Sequence, residues 1–394
     1  MSYQVLYRKY RPRDFSEVVG QDHIVSVIRR QIEAGRVAHA YLFSGPRGIG
    51  KTTVARLIAK AVNCANAPSA AAGGDAGALS IPPKLRQSRS EGGLPCNHCP
   101  SCEVFNAGQA LNLIEIDAAS NRGIDEIREL REAVRFAPPG GGTKAYIIDE
   151  VHQLTKDAFN ALLKTLEEPP GHVLFVLATT ELDKVPATIV SRTQHFDFRR
   201  PRRDVLSSRL LGIAAKEKVK LEPDAAEAIA FAAEGSVRDA EGMLGKILAV
   251  EDGAISLAEV EEILGIPKRE ALTALFGYIG GKRLKEAIEL INRLYRDGYE
   301  MEYLTKMLVS FFRDALLAKI DPAFNPAPVG SLLPEESREL GGRLAAYTAD
   351  DLADAIVRLI EALAQSRRSP IPQLPLELAL VSIVGGRKNL EPGT

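Results

Sequence analysis

Three groups of residues in this chain have types and spacing suited to chemistry. The first is the run Gly45-Pro46-Arg47-Gly48-Ile49-Gly50-Lys51-Thr52-Thr53. Its glycines let backbone N–H groups converge on phosphate oxygens, and a helix starting there adds its dipole. Lys51 is spaced to reach the β- and γ-phosphates of a nucleotide, and the Thr52 hydroxyl to ligate Mg²⁺. The bland alternative is a glycine-rich turn with a chance lysine. The apolar run Tyr41-Leu42-Phe43 before it and the helical spacing of Val54, Leu57, Ile58 and Val62 after it argue for the phosphate loop.

The second group is the acidic end of Ala145-Tyr146-Ile147-Ile148-Asp149-Glu150. An apolar strand ending in carboxylates is common by itself. Paired with the phosphate loop, it places Asp149 to hold Mg²⁺ and Glu150 to deprotonate an attacking water, which predicts an ATPase. The third group is Cys64 with Cys96-Asn97-His98-Cys99-Pro100-Ser101-Cys102, the chain's four cysteines. Four thiolates at this spacing fit a closed, structural tetrahedral Zn²⁺ site. Disulfides and free thiols are the alternatives, and the cytoplasm disfavours the former. His98 is a substitute ligand if Cys64 does not reach.

These groups require elements to carry them. Helix is expected from Asp22 to Ala34, after the phosphate loop, from Ile124 to about Phe136 and from Asp157 to Glu167. Strands are expected at Leu111–Asp117, before Asp149 and at Val173–Ala178. Alternating strands and helices with unbroken apolar strands predict a parallel sheet covered on both faces, with nucleotide at the carboxyl ends of the strands. Val19, in an apolar stretch upstream of the phosphate loop, packs either on an adenine ring or simply onto the sheet. Thr180 follows its strand as Asp149 and Glu150 follow theirs; its hydroxyl either senses the γ-phosphate and the attacking water or caps a turn. From about Arg199 the pattern turns wholly helical. Arg238 sits in a helix's first turn against the dipole preference, so it is either aimed at an anion or is a surface residue.

The stretch between Ala65 and Pro95 is rich in Ala, Gly, Ser and Pro and reads as a flexible insertion closed at its base by the metal. A length of 394 residues suggests two or three domains, with 45% hydrophobic residues to fill their cores. No apolar run reaches the 18 residues of a membrane span, and Met1-Ser2-Tyr3-Gln4 opens without an apolar signal region, so cytoplasm is expected. The net charge of −1 is neutral on nucleic-acid binding, which leaves local basic clusters such as Arg199-Arg200-Pro201-Arg202-Arg203; a solvated face is the better explanation of each.

With these residues in view, the chain resembles the bacterial DNA polymerase III γ/τ subunits, the ATPases of the sliding-clamp loader. The resemblance covers nearly the whole length. It rests on Tyr7-Arg8-Lys9-Tyr10-Arg11-Pro12, Val19-Gly20-Gln21, Gly45 to Thr53, the four cysteines, Asp117-Ala118-Ala119-Ser120, Asp149-Glu150, Leu162 to Pro170, Ser191-Arg192 and Gly235-Ser236-Val237-Arg238-Asp239. It implies an AAA+ nucleotide-binding core with a zinc knuckle over residues 1–199 (flexible at 65–95), a small helical lid over 200–265, and an all-helical collar for oligomerisation over 266–394. It further implies Thr180 as a polar sensor beside the γ-phosphate, Arg238 as the lid arginine touching its own subunit's nucleotide, and Arg192 as a finger inserted into a neighbour's ATP site. Arg122 is the candidate contact to a DNA phosphate. The implied partners are further γ/τ copies, δ, δ′, the β clamp and primer–template DNA, with no membrane.

Departures are few. Thr193 stands where the family usually has cysteine, the Cys64–Cys96 insertion is longer than usual, and the chain stops at Thr394 without a τ-type extension, as in a short γ form or a truncated version. No polymerase active site is evident. Another AAA+ DNA motor or helicase loader, and a non-hydrolysing scaffold, are the competing expectations; the cysteines and Ser191-Arg192 weigh against the first, Lys51, Thr52, Asp149 and Glu150 against the second.

Overall fold

Five parallel strands form the central sheet: β1 (Ala40–Ser44), β2 (Leu113–Asp117), β3 (Lys144–Asp149), β4 (Val173–Thr179) and β5 (Gln194–Asp197), in the spatial order β2-β3-β4-β1-β5. Every residue of β1 and β4 is buried, whereas β2 and β5, at the sheet edges, keep intermediate and exposed positions. Unbroken apolar strands at the centre are what a sheet covered on both faces requires. The structure, a computed structural model, describes residues 5–67, 95–138, 141–250, 253–321, 343–366 and 368–385. Most of the expected flexible insertion (68–94) and the loop marked by Pro322, Pro326, Pro328 and Pro334 lie outside the described residues.

Alternate strand residues feed two cores. On one face Tyr41, Phe43, Ala145, Ile147, Leu174 and Val176 pack with α1 (Asp22–Glu33) through Ile24, Ile28 and Ile32, and with α2 (Lys51–Val62) through Val54, Leu57, Ile58 and Val62. On the other, Leu42, Tyr146, Ile148, Phe175 and Leu177 meet α4 (Ile124–Val134) and α5 (Lys156–Glu167), with α3 (Pro100–Asn106) preceding them in the chain. These are the i, i+3, i+4 spacings visible in the sequence. Strand β2 begins at Leu113 instead of Leu111, because the backbone first turns (Leu113 N–H donates to Ala110 O, 3.1 Å) and leaves Leu111 78% exposed.

The chain divides into two compact units: residues 1–213 with 233–245, and residues 214–232 with 246–394. The first contains the sheet, most of α6 (Arg203–Lys216) and the start of α8 (Val237–Leu248). The second contains α7 (Pro223–Ala232), α9 (Leu257–Leu264), α10 (Arg269–Gly280), α11 (Leu284–Arg296), α12 (Met301–Ile320), α13 (Ala349–Ser366) and α14 (Leu374–Val384). Helix α9 starts on a capping box in which Ser256 and Glu259 bond each other's backbone N–H reciprocally. A core centred on Phe276, Phe312, Leu308, Leu359 and Tyr347 unites the later helices, and the Tyr347 hydroxyl donates to Phe276 O at 2.5 Å. Apart from one two-residue strand pair, Lys220–Leu221 with Ala254–Ile255, the described residues beyond β5 are helical or irregular.

Candidate functional site

The parallel register brings the carboxyl ends of the strands to one edge: Asp117 pairs with Asp149, and Ser44 with Thr179. The chain leaving β1 at Ser44 must reverse into α2 within six residues, and it does so through Gly45, Gly48 and Gly50 at φ +133°, +78° and +105°. Only glycine adopts such a succession without strain. Gly48 also leaves no room for a side chain, since a Cβ there would lie 2.0 Å from Ser236 Oγ.

Around this loop is a cavity of about 410 Å³. Val19, all seven residues from Arg47 to Thr53, Asp149, Glu150 and Arg238 line it. Gly45 and Pro46 contribute their carbonyls, to which the Lys51 ammonium donates at 2.6 and 2.8 Å. Burial pulls the Lys51 pKa below its ordinary value, against the opposing pull of the Glu150 and Asp149 charges. Thr52 Oγ1 donates to Asp149 Oδ2 at 2.9 Å, so a hydroxyl and a carboxylate, both hard oxygen donors, stand side by side.

Glu150 lies just past β3 at φ +49°, a left-handed conformation that costs a non-glycine residue about 1–3 kcal/mol and persists only where surroundings impose it. Thr180 supplies one constraint: its hydroxyl and backbone N–H donate to Glu150 Oε2 at 2.9 and 3.3 Å. The Thr180 side chain therefore contacts the acid directly. Arg238 donates its backbone N–H to Gly48 O at 3.2 Å, and its guanidinium lies over the Tyr7 ring at 4.9 Å.

Thr180 meets Glu150 without lining the cavity itself, and the expected site residues Arg192 and Arg122 also lie outside its lining. Arg192, after the helical turn Ala187–Val190, pairs with Glu167 at 2.7 Å and donates to Thr188 O at 2.9 Å, partly exposed. Arg122 is exposed, its guanidinium donating to Ala119 O at 2.7 Å.

Other cavity residues carry no role in the sequence reading. Tyr7 and Arg11 belong to a conspicuous N-terminal run, but nothing in composition says that the run folds over the phosphate loop. Arg209 and Glu241 form a buried ion pair at 3.1 Å, and Arg209 also donates to Tyr10 O at 2.6 Å. Burial pushes the Glu241 carboxyl above its ordinary value, with Arg209 opposing. These two residues are far apart in sequence and no local pattern links them.

The cysteines form a second cluster, beyond the other end of α2. The sulfurs of Cys64, Cys96, Cys99 and Cys102 all lie within 4.8 Å of one another; a tetrahedron with metal–sulfur bonds of ~2.3 Å has edges of roughly 3.8 Å. Backbone N–H groups of Ala65 and Cys102 point at Cys99 Sγ, at 3.5 and 3.4 Å. A hydrogen bond from Cys102 holds the Cys64 thiol down to about 4, and the same contact pushes Cys102 up. The donor set thus fits a soft divalent cation. Cys64 reaches the cluster, and exposed His98 instead turns its Nδ1 to Cys96 O at 2.5 Å. Lys60, on the last turn of α2, is buried beside the cluster and donates to Arg13 O (2.9 Å), Asn106 Oδ1 (2.5 Å) and Asn97 Oδ1.

A parallel sheet with a glycine-rich loop at a helix N-terminus and an acidic pair at the end of β3, one strand (β4) removed from the loop's own, defines a P-loop nucleotide-binding protein. Comparison with known proteins narrows the class. Residues 20–202 match the family described as "DNA polymerase III, delta subunit", residues 205–253 the "DNA polymerase III clamp loader subunit, ATPase lid domain", and residues 255–393 "DNA polymerase III subunits gamma and tau domain III". The chain is 38% identical to DNA polymerase III subunit tau of Bacillus subtilis over 97% of its own length and 63% of the relative's. It is 37% identical to subunit gamma of Buchnera aphidicola from Acyrthosiphon pisum over 79% of this chain and 80% of that one. With Escherichia coli subunit tau, 38% identity covers 82% of this chain and 47% of the relative. The chain belongs to the DNA polymerase III gamma/tau family, and it spans about half to two thirds of the length of the tau relatives it matches. Among solved structures it is similar to the RuvB Holliday junction branch migration motor of Thermotoga maritima (18% identity, TM-score 0.47, covering 68% of this chain and 79% of that one).

Proposed function

We propose that this chain is an ATP-hydrolysing AAA+ motor subunit of a bacterial clamp loader, which uses ATP binding and hydrolysis to open the β sliding clamp and load it on primer–template DNA. One observation carries the reading: Lys51 and Thr52 of the phosphate loop face Asp149 and Glu150, which end the strand one place beyond β1's neighbour β4, in one cavity. Family membership and the matched lid segment support it.

In this reading the loop N–H groups and the N-terminus of α2 bind the triphosphate, and Lys51 exchanges its carbonyl partners for β- and γ-oxygens. Thr52 and Asp149 would hold Mg²⁺, which when bound neutralises charge on those oxygens. Glu150 takes the proton of the attacking water while Thr180 keeps its carboxylate in place. Val19 packs against the base, and Arg238 reads the nucleotide of its own subunit from α8. Arg192, partly exposed and paired with Glu167 away from its own cavity, acts in trans on a neighbour. Arg122 contacts a DNA phosphate, and the four cysteines hold a structural Zn²⁺. The segments 1–199, 200–265 and 266–394 serve as core, lid and collar, a division supported by the family matches ending at 202 and 253. Partners are further γ/τ copies with δ, δ′ and the clamp. Among the described residues no helix is long and apolar enough to cross a membrane; the place of work in this reading is the cytoplasm.

The test is Glu150→Gln in the assembled loader with primed DNA and clamp. Nucleotide binding is retained and clamp-stimulated turnover is lost; wild-type turnover by this variant would refute hydrolysis at this site.

A further inference from the structure

His152 has no part in the mechanism above, yet its side chain is only 3% exposed and is surrounded by polar groups from two strand ends. Nδ1 lies 2.9 Å from Thr179 Oγ1 and, at ion-pair distance, 3.5 Å from Glu150 Oε2. Nε2 lies 3.2 Å from Glu181 Oε1 and 2.9 Å from Gln153 Nε2. Glu181 is braced in turn by Lys184 at 2.7 Å and donates its backbone N–H to Thr179 Oγ1 at 3.0 Å.

The imidazole does not line the cavity, so any effect on the reaction passes through a neighbour. Glu150 is that neighbour. Its strained left-handed backbone persists only where surroundings hold it, and the carboxylate's anchors are among them. Those anchors converge on one oxygen. Oε2 receives Thr180 and faces His152, while Oε1 has no hydrogen-bond partner among the described residues. Pinning Oε2 leaves Oε1 as the oxygen able to accept a proton.

We infer that His152 is a positioning residue for hydrolysis: clamped between Glu181 and Thr179 at the end of β4, it fixes the Glu150 carboxylate at the end of β3. The inference rests on the ATPase reading and deepens it. The water-activating oxygen is thereby registered against the same strand end that carries Thr180, so the acid and the sensor move as one body. Misplacing a catalytic group by about 1 Å costs on the order of 10²-fold in rate, which sets the scale of the effect.

The experiment uses the assembled loader with primed DNA and clamp, and compares His152→Ala, His152→Asn, Glu150→Gln and the double variant His152→Ala/Glu150→Gln. His152→Ala is expected to lower kcat about 10- to 100-fold with KM for ATP near wild type, assayed well below a Tm that falls with the loss of a buried imidazole. His152→Asn, whose amide nitrogen can stand in for Nδ1, recovers most of that rate. In the Glu150→Gln background His152→Ala lowers the residual single-turnover rate no further, because the two residues act as one unit. Wild-type kcat in His152→Ala overturns the inference. So does a joint fall of kcat, affinity and Tm that Asn fails to rescue, or an equal loss in the Glu150→Gln background. Wild-type turnover in Glu150→Gln overturns the ATPase reading itself, a result distinct from all of these.

Discussion

The two ends of α2 can be set against each other. At the N-terminus, Lys51 donates to two backbone carbonyls and Thr52 to Asp149, partners that phosphate oxygens and a divalent cation can replace. At the C-terminus, Lys60 has three oxygen acceptors, and fully buried Asn63 donates to Ala59 O and Thr143 O while accepting from Thr143 N–H. Those partners are protein groups with nothing to exchange for. Twelve residues, ~18 Å of helix, thus separate a site built to change partners from one built to keep them. A single rigid element can serve both uses because a buried polar group is costly only when it is left unpaired.

The contrast predicts which substitutions remove activity and which remove stability. Lys51→Ala has the largest effect expected: steady-state ATP turnover falls at least about 10²- to 10³-fold, with little change in Tm, since the carbonyls it leaves belong to a solvent-accessible loop. A large fall in Tm instead would break the comparison. Cys99→Ser at the opposite end does the reverse. Metal content, measured with a chromophoric chelator, falls below one zinc per chain, and a loss of about 3 kcal/mol lowers Tm by about 6–12 °C. Lys60→Met is next. It orphans three acceptors at about 1–3 kcal/mol in total, read as a drop in the denaturant midpoint with nucleotide affinity near wild type.

The smallest effect sharpens the picture at the cavity wall. Burial raises the Glu241 pKa in the folded chain. Between the ordinary carboxylate value and that raised value the folded state keeps a proton the unfolded state has released, so stability falls as pH climbs through the window. Glu241→Gln removes this slope, and Tm measured from pH 4 to pH 7 becomes flatter than in the wild type.

Most of the sheet was legible because its residues are constrained locally. Tyr41 to Phe43 and Val173 to Ala178 are apolar without interruption, and central strands of a covered sheet need nothing else. The phosphate loop was legible for the same reason, since its function is written in consecutive residues. The cysteines needed one long-range step, from Cys64 to Cys96, and their chemistry supplied it. What could not be read were pairings between distant segments of ordinary composition. Arg209 with Glu241, Tyr7 beneath Arg238 and His152 between Glu150 and Glu181 arise where elements meet, and each residue alone looks like a surface or core residue. Even Leu111, apolar and next to a strand, was drawn outside it by a turn that hydropathy does not record.

The close approach of Gly48 to Ser236 has a historical corollary. Because a methyl group at Gly48 would collide with the Ser236 hydroxyl, a lineage that enlarges the loop at this point must also lose or turn away the side chain that opens α8. The two stretches, nearly 190 positions apart in the chain, are therefore expected to be inherited as a matched set, and a chimera joining the loop of one relative to the α8 of another should tolerate exchange only where both keep small residues at this junction.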